Sequence, residues 1–250
     1  MREKTEAFGR LLKIMDELRE KCPWDRVQTI HTLRNLTVEE TYELADAITA
    51  ENWGEIREEL GDLMLHMVFY AKIAEEENHF DIAGVLHAVC EKLVERHPHI
   101  YGDLSLDNQE DVKKNWEQIK LKSGKKSVLG GVPQSLPAMV KAYRMQEKTA
   151  QVGFEWENKD QVWEKVVEEM EEFKQALDSG NRAEIEDEFG DILFSLVNYA
   201  RFENIDPETA LSKVNQKFKK RFEFIEKHAD KPLEEMTLSE MDALWNRAKK

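Results

Sequence analysis

Cysteine, proline and glycine are scarce in this chain of 250 residues, at two, six and eleven copies. Cys22 and Cys90 are too few for a disulfide framework, and no C-x-x-C pair offers a zinc site. So few chain-breaking residues argue against a turn-rich β architecture and favour long helices. No apolar run approaches the roughly 18 residues of a membrane span, and the opening MREKTEAFGR lacks the apolar centre of a signal peptide. Positive charge is also in deficit, with 36 Lys and Arg against 51 Asp and Glu and a formal net charge of −15. Such a chain is repelled by nucleic acid and by anionic membranes. A small phosphate ligand is not excluded, because a bound divalent cation inverts the local sign. These absences predict a soluble cytoplasmic protein without nucleic-acid or membrane partners, built as one large domain or two ordinary ones.

What the chain does have is a repeat. VEETYEL (Val38 to Leu44) aligns with VEEMEEF (Val167 to Phe173). EIREELGDLMLHMVFYAKI, from Glu55, aligns with EIEDEFGDILFSLVNYARF, from Glu184. Glu43 to Glu59 and Glu172 to Glu188 are each 16 residues apart (59 − 43, 188 − 172). EKLVERH at Glu91 then matches QKFKKRF at Gln216, and NWEQIKLK around Trp116 matches LWNRAKK around Trp245. Four blocks in one order imply a duplicated unit of roughly 110 residues, too long for a solenoid repeat. The expected organisation is a first repeat over 1–120, a linker over 121–137 (LKSGKKSVLGGVPQSLP), and a second repeat over 138–250.

Apolar residues recur at helical spacing. Phe8, Leu11, Leu12, Met15 and Leu18 mark an opening helix that stops near KCPWD. Leu36 to Ala50 forms a second helix, the break ENWG turns the chain, and Glu55 to Ala74 forms a third. A fourth runs from about Ile82 to His97 and closes at Pro98. No strand pattern stands out, so the expected fold is all-α, two duplicated helical-bundle units.

The acidic residues carry the chemistry. Residues three or four apart share a helix face, which pairs Glu40 with Glu43, Glu39 with Glu43, and Glu59 with Asp62. A tight turn makes the two helices antiparallel, so the pairs converge across them. The second copy repeats this with Glu168, Glu169, Glu172, Glu188 and Asp191. Converging carboxylates repel unless neutralised, and an all-oxygen set suits Mg²⁺ or Mn²⁺. One such pair in so acidic a chain reads as a solvated face; recurrence at fixed spacing beside apolar runs does not. Gly61 and Gly190 each cost about 1 kcal/mol inside a helix, which suggests a close approach of backbone or ligand. A di-iron carboxylate bundle would need Glu-x-x-His. Here Asp62 and Asp191 stand in the third place, and His66 aligns with Ser195.

Basic and aromatic residues recur after the acidic ones. Lys92 with Arg96, and Lys217 with Arg221, are each four apart on one helix face and suited to phosphate oxygens. Trp116 and Trp245 follow, each able to stack on a base or to pack in a core. With the carboxylates, these residues outline a site for a metal-bound nucleotide. SGKKS (Ser123 to Ser127) lacks the glycine and the strand of a P-loop, and HPH (His97 to His99) sits at a helix end, where a structural role fits better.

EETYE with ELGD, and EEMEE with EFGD, resemble the two-part signature of the MazG family of nucleoside triphosphate pyrophosphohydrolases. KCPWDRVQT, ERHPHIYGD and GVPQSLPAMVKAYRMQEKTAQVGFEW resemble blocks of its two-repeat members, so the likeness spans nearly the whole chain. The resemblance implies an all-α homodimer that hydrolyses NTP or dNTP to monophosphate and pyrophosphate with Mg²⁺. It implies Glu169, Glu172, Glu188 and Asp191 as metal ligands, with Glu168 placing the attacking water or the nucleotide. Lys217 and Arg221 would bind phosphates, and Trp245 would contact substrate. The equivalent set in the first copy is Glu40, Glu43, Glu59 and Asp62 with Glu39, Lys92, Arg96 and Trp116. The first copy keeps the full motif, while the family expectation leans toward the second as the main site. A dUTPase-like pyrophosphatase shares the acidic motif, and a nucleotide-binding regulator without turnover is a further alternative.

Overall fold

The computed structural model describes residues 1–105, 108, 111–112, 115–116, 119 and 127–249. Among these residues every regular element is helical. The first six residues of the expected linker, 121–126, lie outside the described residues, as does most of SGKKS; Leu129–Gly131 is a single 3₁₀ turn. Contacts divide the chain into Met1–Asp111 and Val112–Lys250, so Trp116 falls on the second side of the division.

In the first unit, α1 (Arg2–Lys21) and α2 (Ile30–Thr49) lead to α3 (Trp53–Glu76), α4 (Ile82–Arg96) and the short α5 (Pro98–Tyr101). Helix α2 starts six residues before the expected Leu36, because Thr29 and Thr32 cap it reciprocally. Helix α3 starts on Asn52, whose side chain accepts from the amides of Gly54 and Glu55. Helix α4 ends at Arg96, and Pro98 opens a new turn at its first position, where no amide donor is needed. Met15, Leu33, Val68, Phe69 and Ile73 form the buried core, with Leu12, Leu36 and Leu65 packed against it. It joins α1, α2 and α3 and fixes the antiparallel α2–α3 pair.

The second unit holds α6 (Ala138–Ala150), α7 (Lys159–Ser179), α8 (Arg182–Phe202), α9 (Pro207–His228) and α10 (Leu238–Arg247). Helices α7 and α8 are the tightest pair, and α6 packs on α8. Val162, Val166, Val197, Ile225 and Leu244 are buried. Gly180 ends α7 at φ +69°, and Asn181 caps α8. In the first unit Glu51 takes the same turn at φ +54°, where a side chain is strained. Asn78 and Asn204 turn the chain after α3 and α8, at φ +59° and +56°.

Candidate active site

Each helix pair brings three carboxylates together. Glu40, Glu43 and Glu59 offer oxygens within 4.8 Å of one another, and Glu169, Glu172 and Glu188 do the same. Burial raises the pKa of Glu40, helped by Asp62 and then Glu43. Glu59 is raised by burial and then by Glu43, Glu40 and Asp62. Glu188 is raised by burial, then by Glu172, Asp191 and Glu169, and its Oε2 is buried without a hydrogen-bond partner. Asp62 and Asp191 lie outside the tight triads but act on them electrostatically. An orphaned buried carboxylate oxygen amid mutual repulsion fits a hard divalent cation held by oxygens.

The second triad has a feature the repeat comparison missed. Lys165 Nζ lies 2.8 Å from Glu169 and 3.0 Å from Glu168. Its pKa rises through hydrogen bonds to Glu169 and then Glu168. Glu169 is the most enclosed member, at 6% exposed. The signal was there, since Lys165 is three and four residues before the two glutamates. It is hidden by alignment, because Leu36 stands at the equivalent place in the first copy (165 − 36 = 129, as for Glu168 and Glu39).

A cavity of about 480 Å³ opens beside Glu169, the one member of this triad that lines it. Glu169, Asp191 and Lys165 line it at one part, with Met145, Phe154 and Trp156 among its apolar walls. The polar side chains Gln146, Ser195 and Asn198 also line it. Arg201 pairs with Glu155 at 2.7 Å and donates to Asn198 Oδ1 at 2.9 Å, fixing the orientation of that amide. The size is that of a small-ligand pocket. A smaller cavity of about 160 Å³ in the first unit includes none of its four motif carboxylates.

The remaining candidates form separate groups. Trp245 on α10 packs on Phe218 at 5.1 Å, with the Arg221 guanidinium 5.4 Å from its ring centroid. Lys217 is exposed on α9. None of these three lines the large cavity. Lys92 is exposed and Arg96 half-buried on α4; Trp116 is half-buried; Glu39 and Glu168 are exposed. A Cβ at Gly61 or Gly190 would meet nothing within 4 Å, so the expected close approach of backbone is not made within the chain. Lys148, a buried lysine on α6, was also not singled out in the sequence.

The model of the MazG nucleotide pyrophosphohydrolase domain matches the chain twice, at residues 28–101 and 157–225. A Thermotoga maritima protein named nucleoside triphosphate pyrophosphohydrolase/pyrophosphatase MazG is 43% identical, over 100% of this chain and 98% of its own. The nucleoside triphosphate pyrophosphohydrolase of Escherichia coli K12 is 41% identical over 97% of each chain. The crystal structure of a mazG-related protein from Thermotoga maritima aligns with 45% of this chain and 98% of its own, at 28% identity and a TM-score of 0.41. The matched segments contain both carboxylate triads, and the chain belongs to the MazG family, as an enzyme that hydrolyses nucleoside triphosphates to monophosphate and pyrophosphate.

Proposed function

We propose that the second triad, with Asp191, is the main catalytic site and that Glu169, Glu172, Glu188 and Asp191 hold Mg²⁺, with Mn²⁺ as a substitute. One observation carries the reading: Glu169 and Asp191 belong both to the carboxylate group and to the wall of the 480 Å³ cavity. Metal and nucleotide can therefore share one site. The cation, when bound, polarises phosphoryl oxygens and offsets the charge of the triphosphate. Glu168 takes the proton of the water that attacks the α-phosphorus. Lys165 holds Glu168 and Glu169 in place, and Lys217 and Arg221 bind outer phosphate oxygens. Trp245, which stands outside the cavity wall, contacts the part of the nucleotide that extends beyond it. In the first copy, Glu40, Glu43, Glu59 and Asp62 form an equivalent cation site, with Glu39, Lys92 and Arg96 in the matching roles.

The chain is further proposed to act as a cytoplasmic homodimer, with repeats over 1–120 and 138–250 joined by 121–137. Each copy exposes the same apolar stripe: Leu60, Met64 and Met67 on α3, and Phe189, Leu193 and Leu196 on α8, all 41–53% exposed. A second copy of the chain is the partner that buries such a repeated stripe. No described helix is long and apolar enough to cross a membrane.

Hydrolysis of dATP with Mg²⁺ in ¹⁸O-labelled water tests the mechanism. Label is expected in the monophosphate, and turnover is expected to stop with EDTA and return with Mn²⁺. Label in pyrophosphate would place attack at the β-phosphorus, and turnover undiminished by EDTA would remove the metal. Sedimentation at micromolar concentration tests the dimer, which a monomer mass would refute.

A further inference from the structure

The large cavity has one buried polar group that the proposed chemistry does not use. Gln146 on α6 lines it at 6% exposure. Its Nε2 donates to the carbonyl oxygen of Phe194 at 2.9 Å, which settles which end of the amide is which. Its Oε1 is buried and has no hydrogen-bond partner. A buried acceptor left unmet is costly and calls for a donor. The surroundings describe that donor. Met145, Phe154, Trp156 and Phe194 supply apolar, largely aromatic walls that suit a flat ring. A donor that suits both this oxygen and these walls is an N–H on the edge of a flat, apolar-faced group, which is the chemistry of a nucleobase.

We propose that Gln146 reads the nucleobase, its Oε1 accepting a hydrogen bond from a ring or exocyclic N–H of a base seated in the cavity bordered by α6, α7 and α8. The inference rests on the reading that this cavity takes the nucleotide. Each common base presents at least one such N–H, so Gln146 distinguishes a base with an edge donor from one without, and does not single out one letter. The Phe194 bond fixes the side chain before substrate arrives, so binding need not order it.

The test pairs each nucleotide with an analogue lacking its donor: dATP against purine 2′-deoxyriboside triphosphate, and dUTP against N3-methyl-dUTP. Both pairs are run on the full chain and on Gln146→Met, which keeps the length and removes the acceptor. In the unaltered protein kcat/KM is expected to fall about tenfold when the donor is removed. In Gln146→Met the same comparison is expected to change by less than about twofold, with the loss on the parent nucleotides appearing in KM while kcat holds. A wild-type gap that persists in Gln146→Met would overturn the proposal. So would the absence of a gap in the unaltered protein for both pairs, a result that decides the matter even if the variant does not fold. Asn198→Phe tests the cavity reading by itself: a KM unchanged in that variant would mean that the nucleotide does not enter here, and the site reading would fail instead.

Discussion

Leu36 and Phe69 in the first copy stand where Lys165 and Asn198 stand in the second, at a constant offset of 129 residues (165 − 36, 198 − 69). Around them the carboxylates are alike, three oxygens within 4.8 Å on each α-helix pair. Behind the first triad, Phe69 is buried at 2% exposure, and Leu36 packs against the same core. Behind the second, the equivalent positions carry a cation and an amide that line a cavity. Duplicated helix pairs can thus keep the half of a site that gathers charge while differing in the half that admits a ligand. A motif match alone reads only the first half.

The largest expected effect separates the two triads directly. Glu172→Ala should lower kcat by at least about 100-fold with circular dichroism unchanged, while Glu43→Ala should cost less than about threefold. Equal losses, or the reverse order, would break the comparison. Next comes the cavity. Asn198→Phe imports the residue of the first copy and should raise KM about tenfold or more, with Mg²⁺ binding by calorimetry retained. An unchanged KM would mean that the nucleotide does not enter there.

A smaller effect follows from the raised pKa values of Glu40, Glu59 and Glu188. Between the ordinary value near 4.5 and the raised one, the folded chain binds more protons than the unfolded chain. These groups therefore cost stability progressively as pH rises through that window, and the penalty is absent below it. Glu240 works in the opposite sense. Lys231 and then Thr237 hold it at about 2, so its contribution is present above 4.5 and lost as pH falls toward 2. The gain in Tm on adding Mg²⁺ should be larger at pH 7 than at pH 4.5, where protons compete for the same oxygens. A gain independent of pH would contradict the assignment of these carboxylates as ligands.

The smallest effect lies at the turn between paired helices. Glu51→Gly should stabilise the first unit by about 0.5–1 kcal/mol, because the turn needs positive φ. Gly180→Ala should destabilise the second by about 1 kcal/mol. Chemical denaturation of each variant checks the two signs.

The helices and the convergence of Glu40, Glu43 and Glu59 were legible because both depend on local spacing. Residues three or four apart share a face whatever else the chain does. The start of α2 was less legible, since its cap is a Thr29–Thr32 pair rather than Ser or Thr followed by Glu. Lys165 was visible in the chain but hidden by comparison with Leu36. The cavity was not legible, because it depends on α6 packing on α8, a contact between residues nearly fifty apart such as Gln146 and Phe194. The approach of Arg221 to Trp245 was legible as a recurring block, but that neither lines the cavity depends on how α9 and α10 pack, which local spacing does not carry.

The constant offset of 129 has a consequence for insertions. From Val38 to Phe69 and from Val167 to Asn198 the copies align without a gap, turn included. Each added residue would rotate the rest of a helix by about 100°. One residue inserted before Glu59 would swing its carboxylate off the shared face and move Asp62 with it. Beyond the triads the copies do differ in length, since α3 has 24 residues and α8 has 21. The extra length precedes Asn78, where it shifts only the exit of the chain. The paired helices therefore work as a phase-locked ruler up to their carboxylates and as a simple spacer after them, so loop grafts and length changes belong at the far end of α3 and α8.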